Sequence, residues 1–384
     1  MKIISSESTP HRPARQLWRI IAVLALMLAF TKSISPVPVS GASLPADRTE
    51  KAAFSDAPLV YTTYITKTSI RFTFTKRKDL TGYLIYMSDR ASGGYKRVAK
   101  SKIRTYRVMN LLPGKTYYFK MRGYKKNGTK YRYTKWTGPV PLSCPQKRGK
   151  STLKKLLQTG FMPLGSTMYV WGGGWNEADN GAGVEAVTIG VSPRWRQFYL
   201  EQTSSYNYNN TRYQIHDGLD CSGYVGWCIY NILNTQSGKK GYVMYAEDMC
   251  ANFASRGWGT YIPASRVTDY RAGDIMCNEG HVWIVVGECS DGSVVILHCS
   301  PPGVILCGTP SRTGAANSRA VALARKYMKK YHPDWYRKFP DCTRDSSYLN
   351  SYNQMRWDLS GDSVMSDPDG FAQMTADQVL SRLP

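Results

Sequence analysis

From Val60 to Pro141 the chain alternates apolar and polar residues in short runs, and a period of two leaves room for strands and little else. The runs SIRFTFT (Ser69–Thr75), GYLIYMS (Gly82–Ser88) and TYYFKMRGYKK (Thr116–Lys126) carry the pattern, and Pro113-Gly114 marks a turn before the third. Several strands at this spacing predict a β-sandwich of about 90 residues. The same stretch is a polycation. Between Pro58 and Cys144 stand twenty Lys and Arg against Asp79 and Asp89, which is +18 of the chain's net +24. Such a field attracts polyanions and weakens with salt. Solubility is the competing explanation, because basic edges keep strands from pairing with other chains. The module has no histidine, no acid pair and no cysteine before Cys144, so it binds or spaces and does no chemistry.

Ahead of it, Arg12, Arg15 and Arg19 precede an apolar run from Ile20 to Phe30, followed by the small residues Ser40-Gly41-Ala42-Ser43. That layout predicts a secretory signal peptide over residues 1–42. The run is shorter than the roughly 20 residues that span a bilayer, and removal and retention as an anchor both stay open. The expected location is secreted or extracellular. Nine cysteines, an odd number, leave at least one outside any intramolecular pairing. Most stand in apolar surroundings and read as buried thiols, with disulfides undetermined. No C-x-x-C occurs, and Asp358, Asp362, Asp367 and Asp369 do not fit a calcium loop, so no metal or cofactor is expected.

One cysteine differs from the rest. In GLDCSGYVGWC (Gly218–Cys228), Asp220 is a good N-cap, and Tyr224, Val225, Trp227, Cys228, Ile232 and Leu233 follow at helical spacing to about Asn234. Cys221 therefore opens a buried helix, where orphan N–H groups and the dipole favour a thiolate. Gly218 and Gly223 would let a substrate approach the backbone. A nucleophile needs a base, and past the leader the histidines are His216, His281, His298 and His332. Residues Gly273–Ser300 read as three antiparallel strands, with His281 opening the second and His298 closing the third. A two-residue Asp291-Gly292 turn would pair His298 with Val285, about 13 Å from His281; a loop over Glu288–Asp291 would set the histidines opposite. Both registers put them on one face. His216 reads as structural or solvent-facing and His332 as a surface residue.

Two resemblances follow from these residues. TGYLIY, GGYKRV, LLPGKTYYFKMRGY and YTKWTGPVPL are similar in order to a fibronectin type III domain, placed at 58–144, with Phe72 and Phe74 where that family often has tryptophan. TMYVWGGGW, GLDCSG, RAGDIM, GHVWIVVG and VILHCS together resemble the NlpC-type cysteine peptidases of the papain-like clan. The resemblance implies an α+β papain-like domain over 159–384, after a linker at 145–158. It implies a secreted cell-wall hydrolase that cuts an amide bond in peptidoglycan stem peptides, typically between γ-D-glutamyl and a diamino acid. It makes Cys221 the nucleophile, His281 the base and His298 the orienting residue, with Tyr169, Asp220 and Ser222 lining the substrate site. A wall amidase or acyltransferase with the same triad, or a non-catalytic wall-binding protein, is the alternative.

The chain also departs from that family. Trp283 replaces the glycine usual after His-Val, and either crowds the strand face or adds stacking. An insertion at 174–217 holds Trp175, Trp195, Phe198, Tyr199, Tyr206, Tyr208 and Tyr213, suited equally to stacking on sugars or peptides and to a satellite core. An extension at 311–384 contains an amphipathic helix and a Thr-x-x-Gln capping box before another, and reads as packing without a role. Expected partners are stem peptides at the cleft and anionic wall polymers on the basic module, with no nucleic acid and membrane contact only during export. The module should then be separable from cleavage of a small peptide.

Overall fold

The structure, a computed structural model, describes residues 53–144, 151–233 and 241–383, so the leader read over 1–42 lies outside the described residues. The first region has eight strands: β1 (Val60–Ile65), β2 (Ile70–Phe74), β3 (Gly82–Ser88), β4 (Lys96–Ser101), β5 (Thr105–Val108), β6 (Thr116–Asn127), β7 (Lys130–Tyr133) and β8 (Val140–Ser143). β1, β2 and β5 form one sheet; β4, β3, β6 and β7 form the other, with β8 on β6. The three alternating runs of the sequence are β2, β3 and β6. Phe72 meets Phe119 edge-on at 4.9 Å between ring centroids, and Phe74 stacks on Tyr83 at 4.1 Å. Both phenylalanines are fully enclosed, worth about 2–3 kcal/mol each by area. Tyr117 accepts a hydrogen bond at its hydroxyl from the Leu112 N–H (3.0 Å), which ties the Pro113-Gly114 turn to β6.

The second region mixes helix and sheet. It runs β9 (Ser151–Thr152), α1 (Leu153–Phe161), α2 (Pro193–Glu201), α3 (Cys221–Leu233), α4 (Ala246–Ser255), β10 (Gly259–Ile262), β11 (Ile275–Cys277), β12 (Val282–Glu288), β13 (Val294–Ser300) and β14 (Gly303–Gly308). Then come α5 (Arg319–Tyr331), α6 (Pro333–Lys338), β15 (Asn353–Trp357), β16 (Met365–Ser366) and α7 (Ala376–Arg382). A six-stranded antiparallel sheet in the order β10-β15-β11-β12-β13-β14 carries α3 against β12 and β13. Ordered structure thus begins inside the stretch read as a linker. Thr152 caps α1 by accepting from the Lys155 N–H (3.1 Å), and Leu153, Leu156 and Leu157 bury one face. The basic residues between those leucines had hidden the helix.

The extension is not peripheral. β15 lies inside the sheet, with Met355 between Tyr261 of β10 and Ile275 of β11. The Thr375–Gln378 capping box and the amphipathic helix α5 form as the sequence predicts.

Nor is the sandwich separate. The described residues all fall in one compact unit. Ile189 of the insertion bridges Thr62 of β1, its N–H donating to the Thr62 carbonyl at 2.6 Å. Beside it Tyr61 is buried, its hydroxyl bonded to Ser192, with Glu185, Arg194 and Asp217 close enough to act on it electrostatically. The next residue, Gly190, donates to Asn231 of α3 (2.8 Å), so the sandwich reaches the cysteine helix through the insertion. The module expected to be separable from cleavage of a small peptide thus packs on the second region. Tyr61→Ala should lower the unfolding free energy of the whole chain by about 3 kcal/mol, and Tyr61→Phe by about 1 kcal/mol, in urea titrations. Unchanged stability in Tyr61→Ala would mean that the contact is not formed in solution.

Candidate active site

α3 begins at Cys221, and every residue from there to Ile232 is buried. Asp220 caps it as its position predicts: Oδ1 accepts from the Gly223 N–H (2.6 Å) and from the Ser222 hydroxyl (2.9 Å). The stretch before Asp220 is held from two sides, because the Leu219 carbonyl accepts from the Val170 N–H (3.0 Å) and from the Cys299 thiol (3.0 Å). The glycines serve this packing rather than a substrate. A Cβ at Gly223 would sit 2.0 Å from the Gly173 carbonyl oxygen, and one at Gly218 would sit 2.3 Å from that of Met168. Cys221 is 8% exposed, and backbone N–H groups of Val282, Ser222 and Cys221 itself bear on its sulfur. Val282 follows His281, so the thiol lies at the start of β12.

The histidines meet through a phase change in that strand. The β12–β13 hairpin closes with a three-residue loop, Ser290-Asp291-Gly292: Gly292 is left-handed (φ 71°), and the Cys289 N–H donates to the Ser293 carbonyl (2.8 Å). Glu288 then faces Val294 and Gly287 faces Val295. Continued unbroken, that phase would set His298 opposite Ile284 and put the two histidines on opposite faces. A bulge at Val286 adds one residue, so Val285 pairs with Ile296 and Ile284 with Leu297. His298 now falls opposite Trp283, between the two registers read from the sequence, and shares a face with His281. His281 Nε2 lies 2.9 Å from His298 Nδ1. His281 is placed from the other end by Asn278, whose Oδ1 accepts from the His281 N–H (2.9 Å).

Electrostatically the site is neutral at rest, contrary to the thiolate expected at a helix start. Burial, followed by the Asp220 carboxylate, pushes the Cys221 thiol up to about 12. Burial, followed by the Arg344 guanidinium, pushes His281 down to about 3 and holds His298 well below its usual value. Loss of water outweighs the N–H groups that favour the thiolate. Burial also lifts Asp220 itself to about 7 against three hydrogen bonds, from Gly223, Ser222 and Gly172.

Of the other expected site residues, Tyr169 is close enough to Cys221 for the two to interact electrostatically, its phenol raised by burial and then by Cys221. Ser222 is committed internally: its hydroxyl donates to Asp220 and accepts from the Trp175 Nε1–H (2.9 Å). The insertion is mostly core. Trp195 packs edge-on to Trp227 at 5.7 Å, Tyr208 to Tyr169 at 5.3 Å, and the Tyr206 hydroxyl donates to the Tyr169 carbonyl (2.6 Å). Tyr213 stays exposed. His216 is structural, its Nδ1 2.8 Å from the buried Glu185 carboxylate, and His332 is half-buried rather than on the surface. All nine thiols are free and buried.

The extension supplies residues the sequence did not flag. Tyr348 and Tyr352 stand 5.9 and 6.4 Å from the His281 ring and 5.8 and 5.7 Å from Trp283, which is tilted on Tyr348, edge-on to Tyr352 and stacked on Tyr270 at 6.5 Å, so it packs internally rather than crowds. Tyr352 also hydrogen-bonds Asn278 and feels Cys221. Arg344 is reached because β14 pairs onward: the Gly308 carbonyl accepts from its N–H (2.9 Å). No spacing rule ties residues 344–352 to a motif sixty residues earlier. Among the described residues no group of three His, Cys, Asp or Glu side chains is placed to hold a metal ion.

The raised Asp220 gives a signed test. Folded, it keeps its proton up to about pH 7; unfolded, it loses it above pH 3.8. The folded state then binds more protons, so this residue's contribution to stability is present at acid pH and lost as pH rises from 3.8 to about 7. The stability of wild type relative to Asp220→Asn should fall across that window by up to about 1.4 kcal/mol per pH unit. A difference that is flat or grows with pH would contradict a buried, protonated Asp220.

Residues 57–138 match the fibronectin type III domain family. No curated protein matches the chain. Among solved structures, the twitchin kinase region of C. elegans is similar at 19% identity, over 26% of this chain and 18% of its own, with a TM-score of 0.22. The fn3 domain of the human collagen alpha-1(XX) chain is similar at 12% identity, over 26% of this chain and 94% of its own, with a TM-score of 0.20. A β-1,2-glucanase from Parabacteroides distasonis is similar at 20% identity, over 33% of this chain and 17% of its own, with a TM-score of 0.22. The chain thus spans less than a fifth of the twitchin and glucanase structures. The first region is a fibronectin type III domain, and it is joined to a second region of mixed α/β structure.

Proposed function

We propose that the second region is an NlpC-type, papain-like cysteine hydrolase, exported from the cell, that cuts an amide bond in peptidoglycan stem peptides. The observation that carries this reading is the set of three side chains: Cys221 at the start of a buried helix beside β12, and His281 within 2.9 Å of His298. The ordered landmarks around them favour the same family. Because Nε2 of His281 faces His298, the nitrogen left to serve as base in this reading is Nδ1. Nδ1 must then be unprotonated and Nε2–H must donate to His298 Nδ1, which fixes the base in its working tautomer.

In the proposed reaction the sulfur bonds to the carbonyl carbon as its proton passes to His281 Nδ1. The C–N bond breaks, the amine leaves with that proton, and water hydrolyses the thioester to return the thiol. With both groups neutral at rest, proton transfer accompanies attack rather than preceding it. The N–H groups converging on the sulfur, helped by the Tyr169 hydroxyl, would stabilise the oxyanion. A second reading rests on burial. Cys221, Tyr348 and Tyr352 are each less than a tenth exposed, and a site that excludes water favours passing the acyl group to an amine.

Digestion of purified peptidoglycan with mass identification of the fragments separates the readings: hydrolysed peptides support the first, amine-transferred products the second. Cys221→Ala should lower turnover about a thousandfold or more, and His281→Ala about a hundredfold to ten-thousandfold. His298→Ala should lose less, since an orienting group is partly replaceable. Ordinary turnover by Cys221→Ala would overturn the mechanism.

A further inference from the structure

The charge of the fibronectin type III domain is not spread evenly in character. On β6, Tyr117, Phe119 and Met121 point into the sandwich, so Arg122 and Tyr124 belong to the opposite face. There the Arg122 guanidinium lies between two rings, 4.0 Å from the Tyr133 centroid and 4.2 Å from that of Trp136. Lys100 lies between two more, 4.4 Å from Tyr131 and 4.9 Å from Tyr124, and also donates to the Tyr131 hydroxyl (3.1 Å). Tyr131, Tyr133 and Trp136 are exposed, an unusual outlay of aromatic surface for a module that needs no second core there. Arg122 Nε is buried without a hydrogen-bond partner among the described residues. The acids of the domain are engaged elsewhere, Asp79 with Arg77 and Asp89 with Arg90 and Lys115.

We propose that this face is the docking surface for an anionic wall polymer, a chain bearing phosphate or carboxylate groups at regular intervals. The reading rests on the wall-hydrolase proposal for its partner, and on the structure for its location. Rings that clamp a cation hold it in one orientation, so little side-chain entropy is lost when an anion binds, and a flat guanidinium offers paired N–H donors to an oxyanion. Each of the four rings carries a cation over one face, which favours an anion on the clamped cations over base stacking on bare rings.

The test measures binding to the full chain carrying Cys221→Ala, so that hydrolysis plays no part and failure of the peptidase reading leaves the result interpretable. The probes are poly(glycerol phosphate), polygalacturonate and duplex DNA at physiological salt, with urea unfolding to verify each variant. Removing the clamped cations (Lys100→Ala with Arg122→Ala) should weaken binding to one or both of the first two polymers at least tenfold. Removing two exposed lysines elsewhere on the domain (Lys67→Ala with Lys102→Ala) should weaken it less than threefold. Removing rings while keeping charge (Tyr131→Ala with Trp136→Ala) should weaken it at least threefold. Preference for the phosphate or the carboxylate polymer identifies the anion. Equal losses in the two charge pairs would show that the overall field binds and no face is specialised. Tighter binding of DNA than of either polymer would also overturn the proposal.

Discussion

The candidate site depends on one extra residue in one strand. Without the bulge at Val286, the hairpin loop that this sequence forms would send His281 and His298 to opposite faces of the sheet. With it, they are hydrogen-bonded at 2.9 Å, and β12 starts where the Cys221 thiol ends. A bulge in a fully buried central strand breaks ladder pairing and survives when the surrounding packing holds it. Here α3 and α7 both pack on β12. Gly287, just past the bulge, admits the close approach of α7: a Cβ there would lie 2.8 Å from the Ala376 backbone.

Burial around that strand explains the electrostatics. Trp283, Tyr348 and Tyr352 wall in the histidines, Tyr169 and Asp220 flank the sulfur, and the nearest fixed cation, Arg344, disfavours a second positive charge on either imidazole. Keeping the thiol and imidazole neutral avoids leaving separated charges in a site poor in water. Much of this wall comes from the last seventy residues, which also insert β15 into the sheet between β10 and β11. The extension is therefore part of the architecture that the proposed chemistry would need.

Much of this was legible in the sequence, and the rest fails for identifiable reasons. Period-two alternation located β2, β3 and β6 because each buries one face, and Asp220 announced its helix because its carboxylate caps it. The hairpin register was not legible. A three-residue loop and a bulge each shift the phase by one, and neither leaves a composition signal in a strand that is apolar from Val282 to Val286. The Tyr61 contact escaped because a buried interdomain tyrosine looks like any strand tyrosine. The lowered thiol pKa was expected from the helix terminus alone, whereas burial is set by Tyr169, Tyr352 and the strands, which are remote in the chain. The insertion's aromatics were ambiguous between platform and core, and burial decides for core at Trp175, Trp195, Phe198 and Tyr199, while Tyr206 and Tyr208 are half-buried and Tyr213 is exposed.

The central proposal is that Cys221 and His281 act together and are both neutral at rest, and the reactivity of Cys221 toward a small alkylating agent tests this most directly. Alkylation at Cys221, resolved from the other thiols by peptide mass spectrometry, would be followed from pH 5 to pH 11 in wild type and in His281→Ala. The account predicts slow modification near neutrality that climbs only at strongly alkaline pH, with little change in His281→Ala. A plateau of fast alkylation between pH 5 and pH 8 that disappears in His281→Ala would reveal a thiolate–imidazolium pair and contradict it.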